Sequence, residues 1–232
     1  MDGVGMAVSG KRPNKMRRLS HIELAEVVRT HQDFLLGRPG GLRAELVNHD
    51  LSGMLLTGSN LKDADLTGAK LTDADLSDCV LDGATMSGAD LSDANLDGAR
   101  MVGVDLRGST LRSARLRNAN LHKADLRDGS IARRTKTGTL TAITMKLGPT
   151  HMEKADLSGA DLREANMTAV IATHTDFTDA DLQGAILAHA NLRGAILAGA
   201  RLDGACLDHA DFSGANLAHA VFGGASVATA SL

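Results

Sequence analysis

The sequence predicts an all-β solenoid, and three observations support this fold class. Large apolar residues recur at every fifth position over most of the chain, and alanine commonly lies two residues before them. Glycine is frequent two residues after them. Aromatic residues make up only 2% of the 232 residues, with no Trp and no Tyr. Because a globular core draws much of its buried area from aromatics, this composition favours many small, equivalent layers of Leu and Ala.

The five-residue register has two parts. A large apolar residue, mostly Leu, takes the central position from Leu46 to Ile131, and the pattern resumes from Met152 to Leu232. Ala172 is the one small residue at such a position. A fixed period of this kind determines the whole architecture, so it takes priority over local secondary-structure signals.

A period of five matches neither the 3.6-residue helical repeat nor the two-residue strand repeat. Each unit must therefore combine one short extended segment with one corner. The large central residue and the small Ala are predicted to point inward, and the other three residues outward. Gly and Asp suit the corner conformations, and successive coils should pair at sheet spacing, about 4.7–4.9 Å apart.

Runs such as 64–68 (Ala-Asp-Leu-Thr-Gly) and 89–93 (Ala-Asp-Leu-Ser-Asp) resemble the pentapeptide-repeat proteins. The resemblance covers residues 44–232 apart from one interruption. It implies a right-handed quadrilateral β-helix with four units per coil. The chain would then form about nine coils, a rod about 40 Å long at sheet spacing.

An N-terminal α-helical cap is expected before the repeats. Residues 1–19 form a basic tail that we expect to be disordered, and residues 20–43 a cap helix and linker. Ser20 and Glu23 have the spacing of a capping box, Gly37 suits the position after the last helical turn, and Pro39 blocks continuation. The segment from His31 to Ala44 resembles the cap helix that precedes many bacterial pentapeptide arrays.

The repeats divide into a first part, residues 44–131, and a second part, residues 152–232. Residues 132–151 break the pattern and carry four bases and no acid. Residues 139–147 alternate between apolar and polar side chains, as a strand does. The interruption is therefore predicted to form a basic loop, a protruding hairpin or an irregular coil. In some relatives such projections contact the partner, and the resemblance implies the same role here.

Charge is distributed in blocks along a chain of net charge −3. Residues 45–98 hold eleven acids against Lys62 and Lys70, residues 99–131 are basic, and residues 152–232 are again acidic. The basic block and the interruption supply the predicted partner-binding residues, which are Arg107, Arg112, Arg117, Arg127, Arg133, Arg134, Lys136 and Lys146. The alternative is a solvated surface in which Arg and Asp of neighbouring coils pair.

The C-terminal coil is predicted to form a homodimer interface through Phe222, Val227 and Leu232. These residues continue the apolar register to the last residue of the sequence, where no further coil would cover them. The resemblance to pentapeptide-repeat proteins implies the same, because members of that family commonly dimerise through their C-terminal ends. A frayed terminus is the alternative.

The sequence offers no enzyme signature, so no catalytic residue, cofactor or metal is predicted. His189 and His209 lie one predicted coil apart and should stack, but a third metal ligand is not evident. Cys79 takes an inward position and Cys206 an outward one, which gives no disulfide framework. With no signal-like or membrane-spanning run, we expect a cytoplasmic bacterial protein.

The predicted function is a non-enzymatic binding or scaffold protein that recognises a protein partner by rigid shape and charge. The alternative, implied by the family resemblance, is a DNA-mimic modulator of DNA gyrase or another type II topoisomerase, of the quinolone-protection type. The acidic blocks suit that alternative and the basic middle argues against it. Direct nucleic-acid binding is not favoured, because basic residues interleaved with aromatics are missing.

Overall fold

The computed structural model describes the backbone of residues 16–134 and 140–231, and the side chains of all of these except residues 130–146. Its regular elements are β1 (Arg17–Arg18), α1 (His21–Leu35), β2 (His49–Asp50), β3 (Gly129–Arg134) and β4 (Leu140–Leu147). Elsewhere single parallel bridges join equivalent residues of successive coils, beginning with Glu45 and Asp65. These bridges stack the coils of an all-β solenoid.

Each five-residue unit consists of a short extended segment and one β-turn. In a typical unit the amide of Ala64 donates to the carbonyl of Leu61 at 3.0 Å. The third residue of this turn, Asp63, has φ 58, and the equivalent Gly68 has φ 63. Positive φ at the third position is the requirement of a type II turn, which explains why Gly, Asn and Asp are frequent there.

The coils are held together by regular hydrogen bonds around an apolar core. The amide of Leu66 donates to the carbonyl of Thr85 at 2.7 Å, and the amide of Thr85 donates to the carbonyl of Ala64 at 2.9 Å. The central Leu66 and the small Ala64 are both fully buried. The prediction that these two positions point inward is therefore confirmed.

Helix α1 begins with the predicted capping box and lies against the first coil. The Ser20 hydroxyl accepts from the Glu23 amide, and the Glu23 carboxylate accepts from the Ser20 amide. Leu24 on the inner face of α1 is buried in the solenoid core cluster. Gly37 follows the helix with φ 64, as its predicted position requires. No helix in the described residues is long and apolar enough to cross a membrane.

The strand before α1 extends the solenoid beyond the predicted repeats. β1 pairs in parallel with β2, with Arg18 opposite Asp50. This register places Leu19 beside Leu51 at the central position, and Leu19 is 5% exposed. The five-residue count missed Leu19 because its spacing from Leu51 in the sequence is no multiple of five.

An antiparallel hairpin leaves the solenoid three residues before the predicted interruption and returns to it. β3 pairs with β4, with Gly129 opposite Leu147 and Ile131 opposite Met145. Thr110 is bridged to His151, on the far side of the hairpin, whereas Asp105 is bridged to Asp125 before it. Met152 therefore takes the central place after Leu126, and Ile131 belongs to β3 although it fits the count.

Candidate interaction surfaces

The root of the hairpin is built from backbone groups and one buried hydroxyl. Thr150 occupies an inward position normally held by Ala and is fully buried. Its hydroxyl accepts from the amide of Gly108 at 3.0 Å and lies 3.1 Å from the carbonyls of Leu106 and Arg127. Thr150 thus satisfies polar groups at the corner where the chain leaves the coil.

Close packing at this corner requires glycine. Gly108 has φ 61, and a Cβ atom there would collide with the Leu147 side chain at the end of β4. The positive φ and the close approach together restrict the position to glycine. The base of the hairpin is therefore fixed against the rod by Leu147 and Thr150.

Arg107 and Arg127, two of the predicted partner-binding residues, are ion-paired on one face of the solenoid. Arg107 lies 2.8 Å from Asp105 and 3.8 Å from Asp125, and Arg127 lies 2.8 Å from Asp125. Burial opposes ionisation of Asp105, but hydrogen bonds from Arg107 hold the pKa of that carboxyl below its ordinary value. Asp105 stacks on Asp125, and the arginines offset the repulsion between the two carboxylates.

Arg112 contacts a coil on the far side of the hairpin insertion. Its guanidinium lies 3.2 Å from the Glu153 carboxylate and also contacts His151. Because Arg112 precedes the hairpin in the sequence and Glu153 follows it, this ion pair joins the coil before the insertion to the coil after it. The Arg112 side chain is 49% exposed.

Arg117 joins three successive coils. Its guanidinium lies 2.6 Å from Asp97 in the preceding coil and 3.8 Å from Asp156 in the following one. The Asp97 carboxylate also forms an ion pair with the guanidinium of Arg115. All four arginines of the basic block that were predicted to bind a partner are thus paired with carboxylates of their own or a neighbouring coil, although each also keeps exposed surface.

The remaining predicted partner-binding residues belong to the interruption. Arg133 and Arg134 lie in β3, opposite Thr141 and Leu140, and Lys146 lies in β4 opposite Ser130. Lys136 is outside the described residues. The backbone therefore places three of the four bases on the hairpin.

The C-terminal end of the described solenoid has an open apolar depression. Phe222 is half-buried and Val227 is 56% exposed, whereas the equivalent residues of earlier coils are buried. Leu232 lies outside the described residues. The depression has a volume of about 270 Å³ and is lined by Leu207, Phe212, Leu217, Phe222, Val227 and Ala230.

Two further open depressions flank α1, where no sequence pattern indicated a cleft. One of about 380 Å³ lies between Leu24 and Val28 of α1 and Leu55 of the first coil. The other, of about 520 Å³, lies between Ile22 of α1 and Leu46.

The histidine stack and the cysteines occupy the predicted positions. The rings of His189 and His209 are stacked with centroids 4.7 Å apart and planes 6° apart. Within residues 16–134 and 140–231, no three His, Cys, Asp or Glu side chains are grouped for a metal ion. Cys79 is buried, and burial raises the pKa of its thiol to about 11. Cys206 is half-buried and contacts Asp208.

The comparisons with known proteins agree with this architecture. The family model for pentapeptide repeats matches in eight copies over residues 43–73, 59–98, 74–112, 89–128, 150–179 and 175–214. The matches stop at 128 and restart at 150, which are the limits of the hairpin insertion. No curated protein matches the chain.

Several solved structures are similar to the chain. HetL, a pentapeptide repeat protein involved in heterocyst differentiation regulation from the cyanobacterium Nostoc sp. strain PCC 7120, is 29% identical with a TM-score of 0.51, covering 80% of this chain and 77% of HetL. Full-length QnrB1, a plasmid-mediated fluoroquinolone resistance protein, is 20% identical with a TM-score of 0.46, covering 79% and 92%. The repeat matches span more than half of the sequence, and the chain belongs to the pentapeptide-repeat family.

Proposed function

We propose that the chain is a non-enzymatic binding protein that recognises a protein partner by rigid shape and charge. The observation that carries this proposal is the hairpin, which leaves a regular solenoid at one corner and returns in register. A coil can be closed without this insertion, so its presence favours a role outside the fold. Long projections without a folding role are commonly functional.

The rest of the chain acts as the support of this hairpin. About nine coils, capped by α1, form a rod, and the hydrogen bonds between successive coils make the rod stiff. Thr150 and Leu147 fix the hairpin base. The partner contacts Arg133, Arg134 and Lys146 on the hairpin, and Lys136, which lies between the two hairpin strands in the sequence. It also contacts the exposed parts of Arg107, Arg112, Arg117 and Arg127 beside the hairpin.

A pull-down from the source cell tests this assignment with a register-preserving deletion. Removal of residues 129–149 joins Asp128 to Thr150 and restores a five-residue spacing between Leu126 and Met152. The matched control removes residues 64–83, one whole coil, and keeps the hairpin. We expect proteins that are captured by the intact chain and by the control but not by the hairpin deletion. Equal capture by both variants would show that the hairpin is not part of the binding site.

We further propose that a second copy covers the apolar depression at the C-terminal end. Burying Phe222 and Val227 against the same surface of a second chain would remove apolar area from water and pair the edge of the coil. Analytical ultracentrifugation at tens of micromolar should show a dimer that Val227→Glu dissociates. Leu55→Glu is the control, because Leu55 is 74% exposed at the opposite end. A monomeric wild type would rule this interface out.

The second candidate function is modulation of a type II topoisomerase. It is supported by the acidic block of residues 45–98, since a DNA mimic must present negative charge to a DNA-binding surface. A gyrase supercoiling assay with and without a quinolone tests it directly. No change in supercoiling or in quinolone inhibition at micromolar protein would eliminate the candidate.

A further inference from the structure

His31 is a buried ionisable group at the contact between α1 and the first coil. It lies in the last third of α1 and is fully buried. Its Nδ1 atom is 3.1 Å from the amide nitrogen of Ala44, and its Nε2 atom is 3.0 Å from the carbonyl oxygen of Lys62. One side chain of the helix therefore contacts two separate segments of the first coil.

The two partners determine the protonation state of the ring. The Ala44 amide can only donate, so Nδ1 must be an acceptor without a proton. The Lys62 carbonyl can only accept, so Nε2 must carry the single proton. Protonation of Nδ1 would place two N–H groups against each other and would break the bond to Ala44.

The His31 ring is surrounded by an aromatic side chain of α1 and by charged side chains of the linker and the first coil. Phe34 of α1 stacks on it with centroids 5.8 Å apart, Arg43 of the linker repels a protonated ring, and Asp63 of the first coil attracts one. Burial lowers the pKa of His31 below its ordinary value, and Arg43 lowers it further, whereas the Lys62 hydrogen bond and Asp63 oppose the shift. The neutral ring is the form that fits this site.

Release of the helix would uncover apolar surface. Leu24 of α1 is 3% exposed, and Val27 and Val28 pack against the core cluster. Leu46 and Leu56 of the first coil line the depressions beside the helix. A displaced α1 would leave the first coil with an apolar face and an open edge, which is a surface prone to association.

We propose that His31 is a pH-sensitive latch, in which the neutral imidazole holds α1 on the first coil and protonation releases the helix. An exposed histidine titrates near pH 6.5. Because the docked state excludes the proton, docking is complete above that pH and weakens as the pH falls below it. Binding of one proton changes the docking equilibrium up to tenfold per pH unit.

Amide hydrogen exchange of the full chain between pH 5.0 and 7.5 tests the latch. After correction for intrinsic exchange, protection of residues 24–35 should fall up to tenfold per pH unit below about pH 6.5, relative to amides of residues 66–100 in the second and third coils. The variant His31→Gln, which retains a donor and an acceptor but cannot titrate in this range, should show no such fall.

Two results would overturn the proposal. One is a wild type in which residues 24–35 and 66–100 show the same pH dependence. The other is an NMR titration in which His31 of the folded chain protonates at or above pH 6.5, since such a ring does not resist protonation in the docked state. The titration decides the matter even if His31→Gln fails to dock its helix.

Discussion

The amide of Leu111 donates to the carbonyl of His151 at 2.6 Å, although the whole hairpin lies between them in the sequence. The same bond in the preceding coil joins Leu91 to Thr110, within a single turn of the solenoid. The hairpin insertion, residues 129–149, accounts for the difference. The solenoid therefore continues through the interruption without a change of register, and the hairpin is attached to it at a single corner.

The first prediction concerns the two cysteines. Burial raises the pKa of the Cys79 thiol to about 11, and only a thiolate reacts readily with disulfide reagents. Labelling with such a reagent at pH 8 should modify one thiol per native chain and two per denatured chain. The variant Cys206→Ser should show almost no native labelling. Equal labelling rates for the two cysteines would contradict the buried position of Cys79.

The second prediction concerns the one small central residue. Ala172 and Phe177 are consecutive central residues, and both are fully buried. We expect the large Phe ring to fill the space that Ala172 leaves. Ala172→Leu alone should overpack the coil and cost about 1–3 kcal/mol of unfolding free energy, and Phe177→Leu alone about 1–2 kcal/mol.

The double variant should cost less than the sum of the two single changes, because the added Leu atoms occupy the space of the lost ring. Chemical denaturation of the four proteins measures this coupling. Ala172→Leu combined with Phe212→Leu is the control and should be additive, since Phe212 lies two coils away. Additivity in both pairs would show that Phe177 does not compensate for Ala172.

The third prediction concerns the ion pair across the insertion. A double-mutant cycle of Arg112→Ala and Glu153→Ala should give a coupling energy of about 0.5–1 kcal/mol, because the Arg112 side chain is half-exposed and water screens the pair. The coupling should shrink in 1 M salt. A coupling energy of zero at low salt would contradict a stabilising ion pair and would leave the Arg112 guanidinium available to a partner.

Much of the architecture could be predicted from sequence, because a five-residue period admits only one kind of repeated backbone unit. The burial of Leu66 and Ala64 and the capping box of Ser20 were all predictable from local pattern. The start of the hairpin at Gly129 was not, since Ile131 fits the five-residue count by coincidence. Position in a count cannot reveal that the chain has left the coil.

The candidate site was less predictable than the fold. The basic block was visible as a run of arginines, but a sequence gives no distance between Arg117 and the carboxylates of Asp97 and Asp156. Thr150 gave a weak signal, as a hydroxyl at a position that prefers Ala. His31 was visible only as part of the predicted cap segment, because its partners Ala44 and Lys62 lie outside the helix.

The measurement that most directly tests the continuous solenoid is thermal unfolding of two deletion variants. Removal of residues 129–149 takes out the whole insertion and should leave a cooperative transition close to that of the intact chain. Removal of residues 130–149 leaves Gly129 as one extra residue, which breaks the register, and should lower Tm clearly further. If the deletion of residues 129–149 unfolds the protein, or if the two deletions are equally stable, the hairpin is not an insertion into a continuous solenoid.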